Sequence, residues 1–452
     1  MTSFELLQSR VAGPVRTPSD EGFAAAVSGF NLYYANTPDA VVGVMSAADV
    51  AESLTFAAQN GLTVSVQATG HGAHHLIDGG LLIDTSRLDT VTIDADARTA
   101  TVGAGARWAS VVAAAAPHGL APITGSSTNV GVVGYTLGGG LGPLARSHGM
   151  SSDYVRSAQV VTPAGEIVTA SADENPDLLW AVRGGKGGFG IVTELTLALA
   201  HVPSLYAGNL TFPAPAIESA LRTWIEYTKT ADDRVTSSVA IVHFPDVGFV
   251  PEPMRGQTLM SLRFAYPGDV AEGERLAGPL RALGPVVMGA LGPLPLTDVG
   301  LIHNDPAEPA LAWGRGAMLN DLDDDFATAF LGLVGPGAQT PLMAAELRHI
   351  GAATRHDVPE GSSAGGRASG YTLQLIGAPD PTLFESVLPA AAQGLLDAID
   401  RWVSPEMTIN FVATHDLESF RAAWPPAVFE RLEAIRNQYD PQRLLAYGPQ
   451  RS

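Results

Sequence analysis

A histidine between two glycines is the residue of this sequence best placed to meet a ligand. Gly70, His71 and Gly72 directly follow a β-prone run over residues 62–67. Glycines at the end of a strand let the backbone approach a bound molecule closely, and the imidazole then points at whatever the loop holds. A turn histidine without a chemical role explains the same spacing equally well.

A glycine-rich segment, TGSSTNVGVVGYTLGGGLG over residues 124–142, is the second candidate for ligand binding. Backbone N–H groups exposed by such a loop can hold a pyrophosphate without any lysine. The Gly-Lys-Ser/Thr of a P-loop is absent, and the segment lies too far along the chain for a Rossmann fingerprint. One glycine loop is a weak signal, but a further loop over residues 184–190 strengthens the prediction of a bound cofactor.

The neighbouring histidines His74 and His75 raise the question of a metal site. Adjacent residues of an extended chain face opposite ways, and no carboxylate pattern nearby completes a zinc or iron set. The sequence has no cysteine, which excludes disulfides, thiolate metal sites, iron–sulfur clusters and cysteine nucleophiles. We therefore predict no metal site.

The composition limits the partners of the chain. Its 452 residues include 46 Asp and Glu against 26 Lys and Arg, a formal net charge of −20. An acidic surface repels nucleic acid and anionic membranes, so we expect neither as a partner. Residues 1–20 contain no apolar signal-peptide core, which predicts a cytoplasmic location. The sequence carries no signal of oligomeric state.

Two regions that differ in their predicted secondary structure and in their number of glycine loops must position these residues. Residues 1–205 alternate strands and helices, including a helix over 47–60 that Ser46 and Gly61 should cap. Residues 206–404 mix strands with helices over 216–230 and 381–402 and contain few glycine loops. Residues 405–452 contain a predicted strand over 408–412 and a helix over 426–438. The pattern predicts an α+β protein with a cofactor domain and a substrate-side domain.

The chain resembles the berberine-bridge-enzyme-like FAD-linked oxidases of the vanillyl-alcohol oxidase superfamily. Long motifs in the family's order carry the resemblance: VQATGHGA (66–73), DGGLLIDTSRL (78–88), residues 124–150, DLLWAVRGGKGGFGIVTEL (177–195), INF (409–411) and YDPQRL (439–444). The resemblance implies the two-domain α+β FAD-binding fold of that superfamily. An FAD domain over 1–205 is then completed by 405–452, and the substrate domain over 206–404 is an antiparallel sheet flanked by helices.

The resemblance implies that FAD is bonded covalently to His71 through its 8α-methyl group. Many members carry a second bond from a cysteine, but this chain has Ser127 at that place, which implies a single covalent bond. Lys186 is interpreted either as a surface residue or as a phosphate contact. The other residues implied to contact FAD are Gln67, Ala68, Thr69, Gly70, Gly72, Ala73, Thr124, Gly125, Ser126, Val130, Gly131, Gly134, Tyr135, Gly139, Gly140, Gly142, Gly190, Ile191, Val192, Asn410 and Tyr447.

The implied reaction is hydride transfer from a small or medium organic substrate to FAD, followed by reoxidation with O2 to give H2O2. An alcohol, an amine or a secondary-metabolite intermediate fits as the substrate. The alternative is a non-redox cyclase in which FAD is a structural template.

The catalytic residues are the part of the resemblance from which this sequence departs. Members that oxidise alcohols commonly use a tyrosine base where this chain has Thr408, whose hydroxyl is too weak an acid for that role. Tyr371 is the best replacement, with His349 and Arg348 as weaker candidates. Val130 falls where the family places a residue that guards oxygen access, and simple core packing is the alternative.

Overall fold

The computed structural model describes residues 3–73, 75–248, 250–412 and 420–447, and His74 lies outside the described residues. The first sheet has the strand order β1-β2-β4-β3 and contains Val15–Arg16 (β1), Ala40–Gly43 (β2), Val64–Gln67 (β3) and Leu81–Asp84 (β4). The second has the order β5-β6-β10-β8-β9 and contains Val91–Asp94 (β5), Thr99–Gly103 (β6), Val155–Val161 (β8), Ile167–Ser171 (β9) and Ile191–Ala198 (β10). Leu120–Ala121 (β7) and Ala200–His201 (β11) form a short separate pair.

A seven-stranded antiparallel sheet with the order β15-β12-β14-β13-β17-β18-β16 follows later in the chain. Its strands are Leu205–Pro213 (β12), Thr236–His243 (β13), Thr258–Pro267 (β14), Met288–Pro293 (β15), Gly314–Leu319 (β16), Leu342–His349 (β17) and Tyr371–Gly377 (β18). The mixed architecture confirms the α+β prediction. The exact domain boundaries at 205/206 and 404/405 stay predictions.

The α-helices of the described residues lie between and around these sheets. They are Ser3–Gln8 (α1), Phe23–Val27 (α2), Ala47–Asn60 (α3), Trp108–Ala115 (α4), Val132–Thr136 (α5), Ala145–His148 (α6), Pro176–Val182 (α7), Ile217–Thr228 (α8), Val270–Arg281 (α9), Asp324–Val334 (α10), Val387–Ala398 (α11) and Pro426–Tyr439 (α12). None of the helices in the described part of the chain is long and apolar enough to cross a membrane.

Helix α3 connects β2 to β3, which pair in parallel with the two sides of β4, and thereby fixes the start of the histidine loop. The side chain of Ser46 accepts a hydrogen bond from the backbone N–H of Asp49 at 3.2 Å, and Gly61 ends the helix with a φ of 66°. Both predicted caps are confirmed. The apolar face of α3, including Val50 and Leu54, is buried in the core beside the sheet.

The predicted strand over 408–412 is wrong, because the structure has a short 3-10 turn at Ile409–Phe411. The side chains of this segment bind the glycine-rich segment instead of a neighbouring strand. Thr408 donates its hydroxyl to the carbonyl of Gly138 at 3.3 Å, and Asn410 donates its amide to the carbonyl of Tyr135 at 2.9 Å.

The large sheet has one apolar face and one polar face. Helices α8, α10 and α11 cover the apolar face, where Trp224, Phe326 and Leu373 are buried in one hydrophobic cluster. Glu346 and Arg348 are two residues apart on β17 and therefore share the opposite face. The N–H of Arg348 Nη1 lies 3.4 Å from the carbonyl of Leu141, so this polar face is turned towards the glycine-rich segment.

Gly142 and Gly394 offer a matched test of this packing. A Cβ on Gly142 would lie 1.7 Å from the backbone oxygen of Thr124, whereas a Cβ on Gly394 would meet nothing within 4 Å. We expect Gly142→Ala to lower the free energy of unfolding by about 1–3 kcal/mol or more, as overpacking does. Gly394→Ala, at an exposed position of helix α11, should leave it equal or slightly higher. Thermal unfolding of both variants measures the difference, and an unchanged midpoint for Gly142→Ala would contradict the packing described here.

Candidate functional site

Two loops face each other across an open cradle beside His71. A Cβ on Gly131 would lie 3.4 Å from Thr69 Cγ2, so the two loops nearly touch at that point. Farther along, a Cβ on Gly72 would have the Lys186 ammonium at 4.0 Å as its nearest neighbour, and a Cβ on Gly134 would point into open space. Gly72 and Gly134 therefore border a space in which an extended ligand can contact the backbone.

The ring of His71 is held by a neighbouring segment. Phe30 stacks on it with a centroid distance of 3.7 Å and an interplanar angle of 17°. The N–H of Phe30 donates to the carbonyl of Thr69 at 2.9 Å, and Gly70, with a φ of 70°, lets Gly29 approach. The segment that contains Phe30 is also bonded to the substrate-side part of the chain, because Ala310 donates its N–H to the carbonyl of Phe30 at 3.0 Å.

The chemical state of His71 fits attachment to a cofactor. Burial, followed by the charge of Arg107, lowers its pKa to about 4, so the ring is neutral near pH 7. Its Nε2 atom is buried without a hydrogen-bond partner among the described residues. A neutral imidazole that is fixed by stacking is the form that can bond to an electrophilic carbon. The sequence identified His71 but gave no sign of Phe30.

The other predicted cofactor contacts, apart from Asn410, lie in four parts of the chain. The end of β3 with the loop after it, and the facing segment, contain most of them: Gln67, Ala68, Thr69, Gly70, Gly72 and Ala73 on one side, and Thr124, Gly125, Ser126, Ser127, Val130, Gly131, Gly134, Tyr135, Gly139, Gly140 and Gly142 on the other. Tyr447 donates its hydroxyl to Gly185 at 3.2 Å and packs on the third glycine loop. Ile191 and Val192, which follow Gly190, have side chains buried in the core, so their predicted role at the adenine end would involve backbone.

Lys186 belongs to the cradle. Its ammonium donates to the carbonyl of Gly134 at 2.6 Å and to the amide oxygen of Asn410 at 2.8 Å. Burial lowers the pKa of Lys186 to about 8. Both acceptors are neutral, so the lysine supplies positive charge at the place where the cradle is open. Of the two interpretations from the sequence, this position supports contact with an anionic ligand.

A buried carboxylate on the large sheet faces the glycine-rich segment. Arg348 donates from Nε and Nη2 to Glu346 Oε2 at 2.9 and 2.8 Å. The second oxygen, Oε1, accepts from Ser238 at 3.2 Å and lies 3.4 Å from both Arg263 Nη1 and His303 Nδ1. Glu346, Arg263, Arg348 and His303 form the cluster that we call the charged cluster.

The charged cluster holds one anion, two cations and a neutral histidine. Burial alone would raise the pKa of Glu346, but Arg348, His303 and Arg263 outweigh it and hold the pKa well below its usual range. Burial and the charge of Arg348 lower the pKa of His303. A narrow cavity lined by Leu141, Gly142 and members of the cluster joins these groups to the glycine-rich segment. Sequence reasoning missed Glu346 and His303, although charges at every second position of an apolar strand were a signal for Glu346.

Tyr371 does not reach this cluster, which corrects its prediction as the general base. It pairs with His349 in the sheet register, so both side chains lie on the face opposite Glu346. Its hydroxyl is 2.6 Å from the hydroxyl of Thr228, and its ring packs edge-on against Trp224 in the hydrophobic core. A side chain in this position stabilises the sheet and its helices.

His349 borders the narrow cavity, but it lies on the other face of β17 from Glu346 and is not a member of the charged cluster. Arg146 Nη1 lies 3.0 Å from its Nε2, which must accept this hydrogen bond because a guanidinium only donates. Burial, followed by the charges of Arg146 and Arg355, lowers its pKa to about 2. Of the two weaker candidates, Arg348 belongs to the charged cluster, whereas His349 is bonded to Arg146.

His349 should make the stability of the protein depend on pH. The unfolded chain binds a proton at this residue below its ordinary pKa of 6.5, whereas the folded chain does so only near 2. The unfolded state therefore binds more protons in that window, and stability falls as the pH falls below 6.5. We expect His349→Gln, which keeps an acceptor for Arg146, to lose less stability between neutral and mildly acidic pH. Unfolding midpoints across pH measure this, and parallel curves for both proteins would contradict it.

Val130 and Thr408 lie on the cradle side of the molecule. Val130 is half-buried and packs against the core that contains Trp108. The backbone N–H of Trp108 donates to the carbonyl of Val130 at 3.1 Å. The role of Val130 in oxygen access stays a prediction. The hydroxyl of Thr408 is buried against the glycine-rich segment, so the position of the missing tyrosine holds no base.

Comparison with known proteins agrees with this geometry. Residues 38–171 match the family model of an FAD-binding domain. The (R)-6-hydroxynicotine oxidase of Paenarthrobacter nicotinovorans is 36% identical over 210 residues, which is 46% of this chain and 46% of that enzyme. The alignment thus spans under half of that relative. The FAD-linked oxidoreductase YgaK of Bacillus subtilis is 24% identical over 472 residues, which is 97% of each chain.

Solved structures extend the comparison to the whole fold. The 6-hydroxy-D-nicotine oxidase of Arthrobacter nicotinovorans superposes with a TM-score of 0.84 at 25% identity, over 97% of this chain and 98% of the other. A carbohydrate oxidase of Microdochium nivale shares the fold with a TM-score of 0.83 at 18% identity, over 99% and 98% of the two chains. The FAD-binding domain over residues 38–171, together with the relative and the solved structure that match the chain over nearly its whole length, identifies the chain as an FAD-dependent oxidoreductase with the fold of these FAD-linked oxidases.

Proposed function

We propose that the protein is an oxidase that removes a hydride from a small or medium organic substrate and passes the electrons to O2 to give H2O2. FAD supplies the hydride acceptor and the electron transfer to oxygen. The observation that carries the proposal is the charged cluster, which lies on the substrate-side sheet and opens towards the glycine-rich segment of the cradle.

His303 is the group that we assign as proton acceptor. Loss of a hydride from an alcohol, or from an amine that binds in its protonated form, is accompanied by the loss of a proton, which a neutral base near the reacting carbon can accept. His303 is neutral, whereas the low pKa of Glu346 makes that carboxylate a poor base. The 3.4 Å between His303 Nδ1 and Glu346 Oε1 is too long for a good hydrogen bond, and such contacts often tighten only when substrate binds. Glu346 then orients the ring and stabilises its charged form.

His71 is proposed as the single covalent attachment point of FAD. Its Nε2, which has no hydrogen-bond partner in the described part of the chain, its low pKa and the stacking by Phe30 support this role. Ser127 lacks the thiol for a second bond. Lys186 and the backbone of the facing glycine loops are proposed to hold the phosphate-bearing part of the cofactor. With one covalent bond at His71, the other residues of the cradle are expected to position the flavin ring against the substrate.

The reaction with oxygen tests the proposal without knowledge of the substrate. We expect the photochemically reduced holoenzyme, mixed with O2, to reoxidise rapidly with one H2O2 per flavin. Val130→Leu should slow this reoxidation by about 10-fold or more, since a larger side chain narrows the half-buried position. Stopped-flow absorbance measures the rate. Val168→Leu, a half-buried position of β9 in the same core, serves as the control and should leave the rate unchanged.

The same experiment distinguishes the alternative of a non-redox cyclase. A flavin that serves only as a template has no need of fast oxygen reduction, so sluggish reoxidation of the wild-type protein would favour the cyclase. Anaerobic mixing with candidate substrates gives the second readout, because an oxidase must bleach the visible absorbance of its flavin.

A further inference from the structure

The charged cluster has more positive than negative charge. Arg263 and Arg348 face a single buried carboxylate, Glu346, and His303 is neutral. The exposed Asp305 acts on Arg348 only through its longer-range field. On the other face of the sheet, Arg146 has its own carboxylate partner in Asp233 at 3.4 Å. One unit of positive charge on the site face is therefore left without a close counter-ion in the described structure.

Arg263 is the cation with the incomplete set of partners. Arg348 binds one oxygen of Glu346 through two short hydrogen bonds, whereas Arg263 approaches the other oxygen only at 3.4 Å. The Nε–H of Arg263 is buried and has no hydrogen-bond partner in the described ranges of the chain, while its side chain is 13% exposed. A buried guanidinium with unpaired donors costs free energy unless a ligand completes its hydrogen bonds.

The position of Arg263 within the sheet makes it available to a ligand. It lies opposite Ser238 on β13, which in turn lies opposite Arg348 on β17, so the three side chains form a row across the sheet. Arg263, Ser238 and Arg348 also line the narrow cavity together with His303. The unpaired donors of Arg263 are therefore next to the histidine that we assign as proton acceptor.

We propose that the substrate carries a carboxylate group that binds Arg263 at the mouth of this cavity. The planar fork of a guanidinium matches the two oxygens of a carboxylate, and such charge-assisted pairs are stronger than neutral hydrogen bonds. The proposal rests on the proposed oxidase function and narrows its substrate to organic acids. A substrate that is cationic at this end would meet the uncompensated positive charge and bind poorly.

Binding of small probes to the holoenzyme tests the proposal directly. The visible flavin spectrum is titrated with benzoate and phenylacetate, and with the neutral benzamide and the cationic benzylamine. We expect a saturable spectral change with the two carboxylates and binding of benzamide that is weaker by roughly 10- to 100-fold. Equal binding of benzoate and benzamide, or no saturable response to either carboxylate, overturns the proposal.

Variants then assign the effect to Arg263. Arg263→Gln should weaken benzoate binding by roughly 10- to 100-fold while benzamide binding stays the same, and Arg263→Lys should lie between it and the wild type. Arg275→Gln, an exposed arginine paired with Glu272, is the matched control. Unchanged benzoate affinity in Arg263→Lys contradicts the guanidinium contact even if the glutamine variant fails to fold. Fast reoxidation by O2 with no preference for carboxylates would leave the oxidase intact and reject only this substrate class.

Discussion

His71→Ala should yield a protein whose flavin separates completely from the polypeptide on denaturation. The wild-type protein should stay yellow through acid precipitation and show flavin fluorescence in a denaturing gel, because a covalent bond survives unfolding. The variant keeps the glycine loops and Lys186, so it should still bind FAD reversibly. Intact mass spectrometry measures the attachment as one flavin per wild-type chain and none in the variant.

Two further variants make the test of attachment specific. Ser127→Ala removes the hydroxyl at the position of the family's second bond and should leave the flavin attached, which serves as the control. Phe30→Leu removes the stacked ring but leaves an apolar side chain, so attachment should become slower and incomplete. A covalent flavin in His71→Ala, or its loss in Ser127→Ala, would show that another residue forms the bond.

Glu346→Gln should cause the largest loss of turnover among substitutions that preserve the shape of the site. The amide cannot balance the charges of Arg263 and Arg348 or stabilise a protonated His303. We expect turnover to fall by about 100-fold or more, in the range of general acid–base catalysis. The loss of a charge from a buried pair should also lower the free energy of unfolding by about 3–5 kcal/mol. Single-turnover flavin reduction and thermal unfolding measure the two effects separately.

The pH dependence distinguishes a role in proton transfer from a purely structural one. Flavin reduction in the wild type should fall as His303 becomes protonated at low pH, and Glu346→Gln should move this inflection to still lower pH because the stabilising carboxylate is gone. Glu226→Gln, an exposed residue of helix α8 that pairs with Lys229, is the control for loss of a carboxylate. A pH profile of unchanged position in Glu346→Gln would rule out its action through His303.

The elements that lead into the histidine loop could be predicted from the sequence because their determinants are local. Ser46 and Gly61 follow capping rules that depend only on neighbouring residues, and the position of His71 follows from the strand before it. The substrate side depends on contacts between residues far apart in the chain. Which face Tyr371 occupies is decided by the register of β17 and β18, and a shift of one residue would have exchanged the two faces.

The misses have the same physical origin. His303 comes from a turn after a 3-10 helix, and no periodic pattern points to its position beside Glu346. Residues 408–412, which the sequence predicts to form a strand, include apolar residues that suit a strand. In the structure the side chains of this segment form hydrogen bonds with the glycine-rich segment, and its backbone does not pair with any strand that the structure describes. Phe30 contacts His71 across 41 positions of sequence that give no hint of the stack.

The backbone bonds that link Phe30 to both Thr69 and Ala310 have a consequence for how the enzyme matures. Phe30, whose ring orients His71, belongs to a segment that is held in place partly by its hydrogen bond with Ala310. This segment is therefore fixed only after the later part of the chain has folded against it. A nascent chain that ends before residue 310 has the histidine but lacks this restraint. We therefore expect covalent attachment of the flavin only after the second half of the molecule has folded. A truncated or misfolded chain should carry no covalent flavin.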